Sequence, residues 1–149
     1  MTALRRTPLR RRTPLRNGAW LRRADPGHAR PRDTGPSRWI RRLVLKRDGY
    51  CCVCCGRSVI GQRYSLQHRK RRSQGGSSLP SNLLTVLGDG TTGCHQRIDS
   101  RRDPHDEARG YTVRSGLDPA LVPVMVFGEQ GGATVWLTDD GRYVTERAA

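Results

Sequence analysis

Four cysteines fall within six residues of this sequence, in the stretch YCCVCC at 50–55, and no other feature restricts the fold as strongly. Cys52 and Cys55 form a Cys-x-x-Cys pair that is followed directly by Gly56. Two thiolates at this spacing can hold one tetrahedral zinc ion, while the glycine permits the backbone turn beneath it. The stretch therefore predicts a zinc-ribbon-like knuckle.

A complete structural zinc site needs two further ligands, and the sequence offers one obvious candidate, Cys94. No fourth ligand is visible, and Cys51 or Cys54 could complete the set only with unusual geometry. The alternative is that some of these thiols are small apolar core residues. Cysteines crowded in this way suit metal binding in a reducing compartment better than a disulfide framework, so we expect a cytoplasmic protein.

The net charge of +15 is distributed unevenly along the 149 residues. Residues 1–50 carry 15 basic and 3 acidic side chains, residues 51–102 carry 9 and 2, and residues 103–149 carry 4 and 8. A positive field confined to the first two thirds of a chain indicates a polyanionic partner, and nucleic acid is the first candidate. A basic tail that binds any polyanion weakly is the alternative. No apolar run approaches the roughly 18 residues of a membrane span, and no secretory signal is present, so we expect no membrane partner.

The chain begins with a near repeat, RTPLR at 6–10 and again at 12–16. Proline at this spacing forbids a continuous helix, and few of the neighbouring residues could be buried. Residues 1–36 are therefore predicted to form a disordered basic arm.

The remainder of the chain alternates between helical and strand patterns, which predicts an α+β fold. A helix over about 38–47 is expected between an N-cap at Ser37 and a stop at Gly49. DDG at 139–141 is a good hairpin turn. We expect residues 37–102 to form the functional core and residues 103–149 a C-terminal helix with small antiparallel strands. The other predicted elements are strands at 63–68, 82–87, 111–113, 122–127, 133–137 and 142–145, and helices at 94–101 and 104–109.

A second constellation consists of His68, Asn82 and His95, separated by 14 and 13 residues. His68 ends a predicted strand and His95 opens a predicted helix, so a strand-loop-strand-helix unit could bring the three together. Hydrolysis of a phosphodiester needs a base for the attacking water, a cation at the phosphate and a residue that holds the base. Taken singly, each residue is more often structural. Together, beside the run RKRR at 69–72, they favour this chemistry.

With these pieces in view, residues about 39–102 resemble an HNH endonuclease of the ββα-metal (His-Me finger) superfamily, and particularly the small HNH proteins of actinobacterial phages and prophages. The matching stretches are LVLKRDGYCCVCCG at 43–56, YSLQHRKRRSQGG at 64–76, SNLLTV at 81–86 and GTTGCHQRID at 90–99. The resemblance implies a ββα-metal core and a metal-dependent hydrolase that acts on DNA, in phage or prophage DNA processing or packaging.

The resemblance also implies a role for each matching residue. His68 corresponds to the general base, Asn82 to the central asparagine and His95 to a ligand of the catalytic cation, which is Mg²⁺ or Mn²⁺ with Zn²⁺ or Ni²⁺ as alternatives. Gln67 stands where the family usually has an aspartate or histidine ligand, and an amide oxygen is a weaker donor for Mg²⁺ than a carboxylate. Asp99 lies one helical turn after His95, so we expect it to supply the carboxylate; an ion pair with Arg102 is the alternative.

The basic run beside the site is predicted to grip the DNA backbone without reading bases, so sequence preference should be modest. The minimal activity of one such site is nicking. A rival class is a non-catalytic zinc-knuckle protein that binds nucleic acid, and a weaker rival is an accessory factor for a phage packaging protein. The predicted backbone contacts are Arg69, Lys70, Arg71 and Arg72.

Overall fold

The computed structural model describes residues 35–100, 103–127 and 132–146. The predicted arm at 1–36 lies outside these residues except for its last two positions. Arg102, the alternative partner of Asp99, also lies outside them.

Helix α1 spans Arg38–Arg47, as the sequence predicts. The hydroxyl of Ser37 accepts a hydrogen bond from the Ile40 amide at 3.3 Å and so caps the first turn. The chain leaves the helix through Gly49, whose φ of +59° lies in the left-handed region. Val44 and Leu45 are buried, so this helix anchors the chain immediately before the cysteine-rich stretch.

Two antiparallel strands follow, β1 at Tyr64–His68 and β2 at Leu83–Leu87, with His68 opposite Leu83. All five residues of β2 are buried. Helix α2, at Gly93–Asp99, contacts both strands. The hairpin and α2 therefore bring the end of β1 and the start of α2 into one region.

A second sheet near the C-terminus has the strand order β3-β4-β5 and is antiparallel throughout. Its strands are Val124–Val126, Ala133–Leu137 and Tyr143–Val144. The predicted hairpin turn between β4 and β5 is confirmed, with Gly141 at a φ of +76°. A Cβ at Gly141 would lie 2.4 Å from the Leu43 side chain, so this turn packs directly on α1. The α+β class is thus confirmed.

The predicted helix at 104–109 is wrong, because the chain forms a succession of turns there. Asp103 does cap the segment, accepting from the His105 amide at 2.9 Å. The Asp106 carbonyl then accepts from the Tyr111 amide at 2.8 Å, which closes a wider turn than an α-helix has. The Asp106 side chain is meanwhile drawn into an ion pair with Arg97 of α2.

The predicted strand at 111–113 is also wrong. Its Val113 amide donates to the carbonyl of Arg69 at 2.8 Å, but the segment joins no ladder among the described residues. The strand predicted at 133–137 is present with its predicted bounds, and the other predicted strands are present with shorter bounds.

One hydrophobic core joins both parts of the chain. It combines Leu45, Val86 and Ile98 from the first part with Tyr111 and Leu137 from the last. The C-terminal sheet is therefore part of the same packing unit as the hairpin and the two helices.

No helix in the described ranges has the length and apolarity needed to cross a membrane.

The buried carboxylate of Asp48 links three elements. It pairs with Arg47 at 2.7 Å, and it accepts from the Thr85 amide of β2 at 2.8 Å and from the Tyr143 hydroxyl of β5 at 2.7 Å. Arg47 also lies over the Tyr143 ring. A buried charge is tolerated when it is fully hydrogen-bonded, and this one fixes α1 against both sheets.

Candidate metal centre and histidine cleft

Three thiols from two distant stretches of the sequence form a cluster, which we call the cysteine cluster. The Sγ atoms of Cys52, Cys55 and Cys94 all lie within 4.8 Å of one another. The first two come from the turn after α1, and the third lies in the first turn of α2. Three thiolates in one place could hold a metal ion such as zinc, as the sequence predicts.

The backbone around Cys52 has the shape of a knuckle. The Gly56 amide donates to the Cys52 carbonyl at 2.8 Å, and the Leu87 amide donates to the Cys52 sulfur at 3.3 Å. Gly56 has a φ of +71°, and a Cβ there would lie 2.7 Å from the Phe127 carbonyl oxygen. Glycine is therefore required at this position on both counts.

The thiols of the cluster differ in protonation. A hydrogen bond from the Cys54 thiol lowers the pKa of Cys52, and the Leu87 amide lowers it further. The same thiol lowers the pKa of Cys94 to about 7. The pKa of Cys54 is raised because its proton serves both neighbours. Burial raises the pKa of Cys55, so within the cluster the thiolate character concentrates on Cys52 and Cys94.

A surface cleft of about 450 Å³ lies on another side of α2, and we call it the histidine cleft. It combines the end of β1, the loop that follows and one face of α2. Its lining residues are Leu66, Gln67, His68, Arg71, Arg72, Ser73, His95 and Asp99. Five residues are predicted for the catalytic site and its cation. Four of them line this cleft, whereas Asn82 lies in the core.

The two histidines of the cleft have different surroundings. The Nε2 atom of His68 lies 3.2 Å from the Ser78 hydroxyl, which can hold the ring in one orientation. His95 lies in the first turn of α2, and its Nδ1 atom is buried without a hydrogen-bond partner among the described residues. An unpaired buried nitrogen costs stability, and metal ligation is one function that explains such a cost.

The remaining predicted ligands are partly engaged. Gln67 is 5% exposed, and its amide donates to the His68 carbonyl at 3.2 Å. The Asp99 carboxylate pairs with Arg71 at 3.3 Å, and Arg71 also donates to the Asp99 carbonyl. Within the described ranges, the cysteine cluster is the only group of three or more His, Cys, Asp or Glu side chains close enough to share an ion.

Asn82 is fully buried and braces the loop between the two strands. Its Oδ1 accepts from the Lys70 amide at 2.7 Å, and its Nδ2 donates to the carbonyls of Lys70 at 3.0 Å and Ser77 at 2.8 Å. Gly76 lies against the same loop, since a Cβ there would be 1.8 Å from the Lys70 carbonyl oxygen. Asn82 therefore fixes the loop that carries Arg71 into the cleft.

The prediction that Arg69 contacts DNA is wrong, because this side chain is 1% exposed. Its guanidinium donates to five backbone carbonyls, and burial lowers its pKa to about 9. With its donors directed into the protein, Arg69 ties the end of β1 to the C-terminal part of the chain. The accepting carbonyls belong to Ser81, Gly110, Pro119, Val122 and Pro123, at 2.7–3.2 Å.

The other three cations of the run have different positions. Lys70 is half-buried and donates to the Leu117 carbonyl at 3.2 Å, whereas Arg71 and Arg72 line the cleft. The sequence analysis missed Ser78, which contacts His68. The Ser77–Ser78 pair has no spacing that distinguishes it from an ordinary loop.

Comparison of the chain with models of known families, with curated proteins and with solved structures gave no match.

Proposed function

We propose that this protein is a metal-dependent DNA endonuclease of the HNH type, with β1, β2 and α2 as its ββα-metal core. The observation that carries the proposal is the histidine cleft. His68 and His95 are 27 residues apart in the sequence, yet both line one cleft together with Arg71 and Arg72. Two histidines and two cations around one open site suit hydrolysis of a phosphodiester.

In this proposal His68 removes a proton from the attacking water. The contact between its ring and Ser78 keeps the base oriented while the proton moves. Arg71 and Arg72 hold the phosphate backbone, and Asn82 keeps their loop in place from below. One site of this kind cuts one strand, so nicking with modest sequence preference is the expected activity.

The residues of the cleft fit a divalent cation in part. His95 offers an unpaired nitrogen, and Gln67 and Asp99 offer oxygen atoms. When bound, such an ion would stabilise the charge that develops on the phosphate and the leaving oxygen. Asp99 can serve only if its ion pair with Arg71 opens, because the two share the carboxylate.

The second candidate is a non-catalytic nucleic-acid-binding protein in which the cysteine cluster stabilises a basic surface. The Arg71–Asp99 pair favours it, since a carboxylate already neutralised by an arginine is a poorer metal ligand. Gln67 also favours it, because an uncharged amide is a poorer metal ligand than a carboxylate.

Nicking of supercoiled plasmid with Mg²⁺ or Mn²⁺ separates the two candidates. We expect the wild-type protein to nick and His68→Ala to be slower by roughly 10²- to 10⁴-fold, the usual contribution of a general base. The matched control is His105→Ala, since His105 is an exposed histidine outside the cleft and should be dispensable. Equal activity in wild type and His68→Ala would refute the catalytic assignment. Salt-sensitive DNA binding without nicking in either protein would establish the second candidate.

A further inference from the structure

Helix α1 carries a groove that neither the cysteine cluster nor the histidine cleft uses. The groove has a volume of about 490 Å³, and we call it the α1 groove. It contains three cations, two aromatic rings and one aliphatic side chain, and no acidic residue of the described ranges lines it. Its lining residues are Arg38, Trp39, Arg42, Leu43, Lys46 and Tyr50.

The two rings of the α1 groove are unusually open to solvent. Trp39 is 66% exposed and Tyr50 is 47% exposed. Burial of either ring in the core would stabilise the fold, so their exposure is a cost that folding alone does not explain. Exposed aromatic rings of this kind are typical of surfaces that bind a partner.

The three cations of the groove lie at intervals of four residues, Arg38, Arg42 and Lys46, and so share one face of α1. None of them forms an ion pair with a carboxylate in the part of the chain that the structure describes. Other exposed arginines are neutralised locally, for example Arg63 by Asp89 and Arg114 by Glu107. The groove therefore presents uncompensated positive charge, which favours a polyanion.

Tyr50 is also the only non-glycine residue with a positive φ, +56°, among the described residues. An L-residue other than glycine, asparagine or aspartate pays an energetic cost in this conformation. A glycine at position 50, like the neighbouring Gly49, would have avoided the cost. Strain retained at an exposed ring indicates that the ring itself has a function.

We propose that the α1 groove binds single-stranded DNA, with bases stacked on Trp39 and Tyr50 and phosphates held by the three cations. This inference rests on the proposed endonuclease function for its choice of DNA as the polyanion. The bases must be unpaired, because the bases of a duplex are already stacked on one another and covered. Stacking on aromatic side chains beside a basic groove is how proteins bind single strands without reading sequence. The groove would hold a strand outside the histidine cleft, since the two share no lining residue.

An acidic segment of another protein would satisfy the cations equally well, but it would leave the two rings without a planar partner. The test therefore has to separate stacking from charge. An abasic oligodeoxynucleotide of the same length carries the same phosphates and no bases, so it measures the electrostatic contribution alone.

The experiment measures binding by fluorescence anisotropy with the full chain and no added divalent cation. The probes are an oligothymidylate of about 12 nucleotides, which matches the site sizes of single-strand grooves, and the abasic oligomer. We expect the wild-type protein to bind the thymidylate roughly tenfold more tightly than the abasic probe. Trp39→Ala should lose most of that preference, whereas Trp39→Phe should retain it. Leu121→Ala, which removes an exposed apolar side chain outside the groove, is the matched control.

Tyr50→Gly gives a second readout that a purely structural role would not produce. Because glycine adopts a φ of +56° without strain, this variant should melt no lower than wild type and yet lose base preference. A wild-type ratio near one, or a ratio unchanged in both Trp39→Ala and Tyr50→Gly, would overturn the proposal. Tighter binding of an oligouridylate than of the thymidylate would overturn the choice of DNA.

Failure of the groove proposal can be distinguished from failure of the endonuclease proposal, because the binding experiment measures no cleavage. If a protein that does not nick still shows base preference that depends on Trp39, the groove proposal holds and the endonuclease proposal fails. Nicking by a protein without base preference would do the reverse.

Discussion

The cysteine cluster and the histidine cleft share helix α2 but are built on opposite plans. The adjacent residues Cys94 and His95 each belong to one of them, and successive residues of a helix point about 100° apart. The cluster gathers three thiols within 4.8 Å, whereas the cleft spreads two histidines among arginines around an open volume. A compact set of thiols suits a structural ion, and an open polar cleft leaves room for a substrate.

Stability and activity should therefore be separable by mutation, even between neighbouring residues of α2. Variants of the cluster should lose stability first, and activity only as a consequence. Variants of the cleft should lose activity while the fold persists.

The largest effect is expected at the cysteine cluster. A structural zinc ion can contribute roughly 10 kcal/mol to the folding of a small domain, so Cys52→Ser should lower Tm sharply and abolish bound zinc. The measurement is zinc content by elemental analysis together with thermal unfolding. Cys51→Ser is the matched control, because Cys51 lies outside the group of three thiols. Equal zinc content and equal Tm in both variants would contradict the contrast between the cluster and the cleft.

Arg69 should follow in size, although it belongs to the same basic run as the cleft arginines. Arg69→Lys leaves at least two of five carbonyls without a donor, because an ammonium has three hydrogens, and each buried orphan costs about 1–3 kcal/mol. We expect a loss of several kcal/mol in chemical denaturation. Arg71→Lys, at an exposed position, should be nearly neutral. Similar losses in the two variants would contradict the buried role of Arg69.

Asn82→Ala should have a smaller but clear effect on stability. The substitution removes three hydrogen bonds to the loop at Lys70 and Ser77, for a loss of about 2–3 kcal/mol. Nicking should fall because the loop that carries Arg71 is no longer held. Urea unfolding and protease susceptibility of the loop are the measurements. A loop that stays protected in Asn82→Ala would show that other contacts hold it.

Asp99→Asn should have the smallest effect on stability. Its pair with Arg71 is exposed, and such pairs contribute about 0–1 kcal/mol. If Asp99 supplies a carboxylate to the cation, the variant should need more Mg²⁺ for half-maximal nicking. An unchanged Mg²⁺ dependence would show that Asp99 serves only as the partner of Arg71.

Local signals in the sequence predict the elements that local interactions determine. The α1 bounds follow from Ser37 and Gly49, and the hairpin at 139–141 follows from its turn residues. The gathering of Cys52, Cys55 and Cys94 was also predictable, because ligand spacing carries information about tertiary structure. The entry of His68 and His95 into one cleft agrees with what their positions on β1 and α2 predict.

Long-range contacts determine the rest. The sequence suggests that Arg69 is a surface charge, because four of the five carbonyls that accept from it come from residues 110–123, far along the chain. The segment at 104–109 is capped by Asp103 as a helix would be, but the ion pair between Asp106 and Arg97 holds it in turns instead. No spacing in the sequence reveals either partner. The Arg71–Asp99 pair is of the same kind, since its residues are 28 positions apart.

Plasmid nicking by a His95→Leu variant is the sharpest check on this separation of roles. This change removes a buried nitrogen that has no hydrogen-bond partner and places a good helix former in α2. We predict that the variant binds as much zinc as wild type and has a Tm at or above that of wild type, and that it fails to nick supercoiled plasmid at any Mg²⁺ or Mn²⁺ concentration. Wild-type nicking by a stable, zinc-loaded His95→Leu protein would contradict the division of labour between the cluster and the cleft.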